Sequence, residues 1–440
     1  MTLETLVQLA RSRTPADRSR IQLATAAFGL SGMFLLGAFR IVRIGGGDLN
    51  EAVYSNYIAE PGLRSGLIAI LVILAILTAG LAVQALRLGT AARERRLAAL
   101  RLAGASRKQV RQLSVTDAAM AGLAGGLLAG PIYLLLSLLL GVLPRMAQIL
   151  PGVEVLDALI WIPVIIAMTA AGAVIGSLLH RDGPIPPEQP AKQRRTGIIA
   201  GPVLVVLGLV SARYLGYVAS TAIVVGLALL FPSISALWIR AIGRRLKRSG
   251  NPVNLLTGVR LIADSRPSSR MSGLLGCCGF LVGTLANAMV SVLRDPAVAD
   301  NAGFYATGFG LAIIGLVLIS AAGVAALIVG VADQLVDHRR QFACLTALGV
   351  DVRFLRRVVR RQLTAVATPA ICGGLLLGTI VGLGRVVGGA VGPFDPRTLL
   401  VAAGLTALGW LLGHLGAVTA GFLLRNQLRD ALDPENLRAA

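Results

Sequence analysis

Two stretches of this 440-residue chain repeat one another, and their chemistry is that of binding and orienting rather than bond-making. The first is RERRLAALRLAGASRKQVRQL, Arg93 to Leu113, and the second is HRRQFACLTALGVDVRFLRRV, His338 to Val358. With Gly104 placed on Gly349, Arg95 pairs with Arg340, Ala98 with Ala343, Leu100 with Leu345 and Lys108 with Arg353. Groups that could do covalent chemistry are sparse. There is no GxxxxGK[ST] phosphate loop, and the lysines are Lys108, Lys192 and Lys247, so ATP is not bound here in the P-loop manner. No HExxH, no Ser/His pair and no paired carboxylates occur in the apolar runs. His414 stands alone in the last run and is expected to pack or hydrogen-bond; Asn287 is expected to join helices. Asp117, beside the first basic stretch, is expected to pair with an arginine there.

The elements that hold these stretches must lie in a bilayer. The chain is 55% hydrophobic and only 14% charged, with a mean hydropathy of +0.76; a soluble domain carries roughly 25% charged residues. Ten apolar runs reach the length of about 20 residues that a spanning helix needs. They lie near 21–39, 65–86, 114–143, 158–179, 197–212, 218–238, 273–293, 306–331, 362–390 and 398–424. The net charge of +21 invites a nucleic-acid reading, which its distribution rejects. With the N-terminus inside, only Arg40, Arg43, Arg64, Arg145, Arg213, Arg294, Arg385 and Arg397 of the 42 basic residues fall at the outer face. As many acidic residues lie there, so the whole excess is cytoplasmic, the positive-inside pattern. An anionic inner leaflet would attract the same arginines. The expected fold is therefore an all-α integral membrane protein with both termini cytoplasmic and no cleaved leader. Cys277, Cys278, Cys344 and Cys372 have neither disulfide nor zinc spacing and are expected to be reduced packing thiols.

The runs group as four, two and four. Residues 1–179 form a first four-helix repeat, 180–252 a Pro-rich joint followed by two linker helices, and 253–440 a second four-helix repeat. Equivalent helices are six spans apart, so the repeats are parallel, related by an axis along the membrane normal. Short amphipathic helices are expected at Thr2–Arg13 and Asn254–Arg266, each leading into a spanning helix. Each repeated stretch precedes a Gly-Gly-Leu-Leu segment, at Gly125 to Leu128 and at Gly373 to Leu376. Outer loops of at most 25 residues leave no room for a folded extracellular domain. Pro131, Pro163, Pro202, Pro232 and Pro369 are placed to kink helices.

The stretches LAALRLAGASRKQV (Leu97 to Val110) and FACLTALGVDVRFL (Phe342 to Leu355) resemble the cytoplasmic loop of FtsX-like permeases. These are membrane subunits of the MacB and lipoprotein-exporter class of ABC transporters. The 4 + 2 + 4 arrangement resembles the ten-span members that carry two FtsX domains in one polypeptide. The resemblance implies that each loop forms a short coupling helix docked into a cleft of an ATPase subunit. The residues so implicated are Arg95, Arg96, Leu97, Leu100, Gly104, Ala105, Ser106, Arg107 and Lys108 in the first copy. In the second they are Arg340, Gln341, Phe342, Leu345, Gly349, Val350, Asp351 and Arg353. The physics agrees: a loop that transmits force needs a short rigid helix, exposed basic groups for orientation, and a glycine that turns the chain sharply. Two departures stand out. Where the family often carries Glu eight residues before the glycine, this chain has Arg96 and Gln341. Val350-Asp351 replaces Ala105-Ser106, so the two docking sites are expected to differ chemically.

The resemblance implies a permease subunit, not an enzyme, with no cofactor or metal of its own. ATP and Mg²⁺ would sit on two copies of a cytoplasmic ATPase partner serving one permease chain in the bacterial cell membrane. Its motion would drive export or release of an amphiphile such as a peptide antibiotic, a lipid or a hydrophobic drug, as in efflux and antibiotic resistance. The alternatives are a mechanotransmitter that moves no solute, which short outer loops disfavour, and a secondary transporter, for which no mid-membrane carboxylate is present.

Overall fold

The structure, a computed structural model, describes residues 15–44, 54–86, 106–143, 148, 150–179, 196–263, 265–294, 296, 301–337, 349–383 and 396–423. Among them there are helices and no strands. The reason is solvent: in lipid each backbone N–H and C=O must be satisfied within its own segment, which a helix does. Nine of the described helices are long and apolar enough to cross a membrane. The protein is an all-α, multi-pass membrane protein. By its contacts the chain divides into two compact units, Met1–Arg194 and Arg195–Ala440.

The first unit is built from α1 (Pro15–Arg43), the single turn α2 (Asn56–Ala59), α3 (Pro61–Leu86), α4 (Arg107–Gly141) and α5 (Asp157–Leu179). Helix α1 is the centre: it packs on α3 and on α4, and α4 carries α5. Ser31 of α1 donates to the Ala75 carbonyl of α3 at 2.9 Å, and Trp161 of α5 donates to the Gly126 carbonyl of α4 at 2.8 Å. The outer helix α5 keeps Leu159, Ile162 and Ile166 exposed. Exposed aliphatic side chains at helical spacing would be an aggregation hazard in water and are a lipid contact in a bilayer.

The second unit holds α6 (Thr196–Lys247), α7 (Pro252–Ala263), α8 (Ser265–Val292), α9 (Ala302–Asp337), α10 (Val352–Leu383) and α11 (Pro396–Leu423). Helix α8 packs on α9 and on α10, and α10 carries α11. That is the connectivity of the first unit, helix for helix. The crossings agree as well. A Cβ on Gly125 would lie 3.0 Å from the Gly29 nitrogen where α4 meets α1, and one on Gly374 would overlap the Gly276 carbonyl where α10 meets α8. Glycine is needed at these points because the backbones approach too closely for any side chain. Both crossings use the Gly-Gly-Leu-Leu segments.

Two expectations are adjusted. The stretch Thr196–Lys247 is helical throughout, and as one straight rod its Gly201 and Gly226 would stand about 38 Å apart. Instead, a Cβ on Gly226 would lie 2.8 Å from the Gly201 carbonyl oxygen, so α6 doubles back on itself. Of its two limbs, Val225–Lys247 is of spanning length while the apolar part of the other, Ile198–Gly208, is shorter. The described residues therefore hold nine full-length candidates where ten were expected. Second, the helix expected at Asn254–Arg266 runs from Pro252 to Ala263, and Arg266 already belongs to α8. It buries Thr257, Gly258 and Leu261 and leaves Leu255 and Val259 exposed. Its counterpart at Thr2–Arg13 lies outside the described residues.

Prolines 131, 163, 202, 232 and 369 all sit inside helices. Cys277 and Cys278 are buried and unbridged, and Cys372 is free and half-buried. His414 stacks on Trp410, one turn earlier, with ring centroids 5.0 Å apart, and Asn287 is buried in α8.

Candidate functional site

Each repeated stretch runs directly into a spanning helix, and the described parts of the two copies begin those helices alike. In the first copy Ser106 is the N-cap of α4. Its hydroxyl accepts from the Gln109 N–H at 3.3 Å, while its own N–H donates to the Gln109 side chain at 2.8 Å, a reciprocal capping box. In the second, Asp351 stands at the equivalent place before α10, and its carbonyl accepts from Phe354 and Leu355. Serine and aspartate are both strong N-cap residues. Both residues therefore stand immediately before a spanning helix, with a hydroxyl side chain in one copy and a carboxylate in the other.

The register continues inward. Lys108 and Arg111 are exposed, as are the equivalent Arg353 and Arg356. Val110 and Leu113 are buried, as are Leu355 and Val358. Asp117 and its counterpart Gln362 are both buried. Helix α10 adds Arg357, Arg360 and Arg361, so that five exposed arginines line two turns of one face. Gly349, three residues before α10, has φ of +85°. That left-handed conformation suits glycine and strains other residues, and it makes the sharp turn expected there.

Ser106, Lys108, Gly349, Val350, Asp351 and Arg353 are thus placed, and Arg107 opens α4. Arg95, Arg96, Leu97, Leu100, Gly104, Ala105, Arg340, Gln341, Phe342 and Leu345 lie outside the described residues. Three or more His, Cys, Asp or Glu side chains do not gather into a metal site among the described residues.

The opposite end of the first unit holds a cluster that sequence reading missed. Arg40, on the last turn of α1 and only 4% exposed, donates to Glu154 at 2.8 Å and lies 3.4 Å from Asp157. Arg43, one turn on, donates to the same Glu154 oxygen at 2.6 Å. Asp157 opens α5, where its charge also favours the helix N-terminus, and its side chain accepts from the Glu154 N–H at 2.7 Å. The Arg40 hydrogen bond, supported by the Arg40 and Arg43 charges, holds the Glu154 carboxyl below its ordinary range. Tyr133 and Ser137 of α4 donate to the Pro151 carbonyl and fix the loop that carries Glu154. Arg64, also buried, donates to the carbonyls of Ile58 and Ala59 at the end of α2. Arg40 and Arg43, two of the arginines that broke the positive-inside pattern, are therefore neutralised by Glu154 and Asp157. The signal was present as Arg40 and Arg43 one turn apart at the end of an apolar run, with two carboxylates opening a later one. The partners stand more than a hundred positions apart.

Comparison with known proteins bears on the first unit. Residues 68–181 match the FtsX-like permease C-terminal family. The FtsX-like region takes in most of α3, the whole first repeated stretch, α4 and α5, about a quarter of the chain. No curated protein and no solved structure matches. The second repeated stretch lies outside the matched residues.

Proposed function

We propose that this chain is the membrane permease subunit of an ABC transporter, with two FtsX-like halves fused in one polypeptide. ATP hydrolysis by a separate subunit drives export or release of an amphiphile. The observation that carries the reading is the FtsX-like match over the first repeated stretch and the helices flanking it. The halves share helix order, packing partners, glycine crossings and helix starts, which supports extending the reading to the second. In this reading the ten-span count includes the short limb of α6. Both termini and the exposed bases Lys108, Arg111, Arg353 and Arg356 face the cytoplasm of a bacterial cell. Two ATPase copies dock at the two loops, supply ATP and Mg²⁺, and push on α4 and α10. Because each loop is continuous with a spanning helix, displacement at the docking point passes along a rigid rod into the bilayer.

The test is co-purification and ATPase assay. The chain alone should hydrolyse no ATP, and an ATPase subunit encoded beside it should co-purify and change its turnover on binding. Native mass spectrometry of that complex should give one permease chain to two ATPases. A ratio of two to two would refute the fused-halves reading, and the absence of any ATPase partner would refute the ABC assignment.

A further inference from the structure

Helix α10 presents arginine where helix α4 does not. The repeat places Lys108 on Arg353 and Arg111 on Arg356, so these two cations are common to both halves. Beyond them Gln112, Val115 and Thr116 stand at the places of Arg357, Arg360 and Arg361. A partner that docks alike at the two loops does not require the extra three. On the helix the five arginines fall within an arc of about 140°, opposite the buried Leu355, Val358, Val359 and Gln362. They point away from their own bundle and climb about 12 Å along the axis from Arg353 to Arg361.

Neighbouring helices fix their level. Ser272 of α8 donates to the Val366 carbonyl of α10 at 3.1 Å. A Cβ on Gly279 would lie 2.8 Å from the Ile371 carbonyl oxygen, and one on Gly283 would meet that of Leu375, so α8 and α10 rise together. Ser265, where α8 starts, is therefore level with the Val359 region of α10. Helix α7 ends just before it, packs on α10, and leaves Leu255 and Val259 exposed. An amphipathic helix with such a face lies at the boundary between headgroups and acyl chains. Arg357, Arg360 and Arg361 thus stand at headgroup depth. Carboxylates that could neutralise them are few. Helices α6, α7, α8, α9 and α11 pack on α10; α9 carries Asp333 and Asp337, and the other four carry no acidic residue. Asp351 precedes α10. Against these three, α7 and α8 add Arg260, Arg266 and Arg270 to the five arginines, so the face remains positive.

We infer that the arginine face of α10 is a binding surface for anionic phospholipid headgroups, built into the second half of the chain and not the first. The guanidinium fork pairs with phosphate oxygens two at a time. Bases clustered immediately beside a spanning helix attract anionic lipid. A zwitterionic head would bring its ammonium to a face that is already cationic. The binding needs a lipid and no ATPase, so it stands apart from the coupling reading.

The full chain, purified in a neutral detergent, is titrated with phosphatidylglycerol that carries a dansyl group on its acyl chain. Energy transfer from the chain's own tryptophans reads the bound lipid. Unlabelled phosphatidylglycerol should compete about tenfold more strongly than phosphatidylcholine with the same acyl chains. R357Q/R360Q/R361Q should bring the two competitors to within about twofold of each other. R357K/R360K/R361K, which keeps the charge, should retain the preference. Arg245, Lys247 and Arg248, exposed at the end of α6 and just beyond it, supply the control. R245Q/K247Q/R248Q removes as much charge and should leave the preference in place. An equal loss in both glutamine variants would mean diffuse attraction by net charge. A preference that survives R357Q/R360Q/R361Q would leave the face to an acidic protein partner. Either result, or equal competition by the two lipids against the natural chain, would overturn the inference.

Discussion

Ser106 and Asp351 occupy the same place in the two halves of the chain: each is the residue before the helix that leads out of a repeated loop. Each stands two residues beyond the glycine of its own copy and four before a buried apolar residue, Val110 or Leu355, that anchors the first turn. We expect Ser106→Ala and Asp351→Ala each to cost about 1 kcal/mol of helix-start stability. Ser106→Asp should be nearly silent, because it places the second copy's residue in the first. Thermal unfolding in detergent measures all three. A loss with Ser106→Asp as large as with Ser106→Ala would show that the side chain does not cap.

Gly349→Val should impair coupling without displacing the spans. The position has open space around it, so the penalty comes from backbone alone, roughly 1–2 kcal/mol at φ of +85°. ATP hydrolysis by the assembled complex should persist while transport falls. Gly104→Val tests the first copy. Full transport with both replaced would remove the coupling role from these turns.

The Glu154 network should fail in acid and not before. Its carboxyl is held below its ordinary value of 4.5, so the pairing contributes stability above that pH and loses it as pH falls through the lower folded value. The difference in Tm between the natural chain and Glu154→Gln should thus be full at about pH 6 and shrink to nothing in strong acid. A difference that stays constant across that range would mean that the Arg40–Glu154 pair carries no stability.

Cysteine labelling tests the orientation. With both termini cytoplasmic, an impermeant thiol reagent applied outside intact cells should label cysteines placed at Asp48 and Asp300 and not at Pro434. The opposite result would invert the membrane map.

The first unit shows what the residues announce and what they conceal. Hydropathy alone places α1, α3, α4 and α5 in a bilayer, because each helix satisfies its own backbone and needs no distant partner to exist. The repeat is legible for a similar reason: Gly104 and Gly349, with the basic residues around them, are local patterns that recur in order. The Gly-Gly-Leu-Leu segments are legible as small-residue stretches, too, but not as crossings. Gly125 meets Gly29, and Gly374 meets Gly276, only once helices distant in sequence have been brought together.

Local pattern also left two places open. Val350-Asp351 differs in residue type from Ala105-Ser106, yet Asp351, like Ser106, stands immediately before a spanning helix. The limbs of α6 are apolar enough to be counted as two spans, yet where the chain turns depends on how closely Gly201 and Gly226 approach. The sequence by itself determined the solvent, the helices, the repeat and the basic loops, since each follows from residues within one or two helical lengths. The tertiary structure alone decided that Arg40 and Arg43 close on Glu154 and Asp157. Such a cluster needs charges from separate helices held a few ångströms apart, and no periodicity along one segment encodes a distance between two.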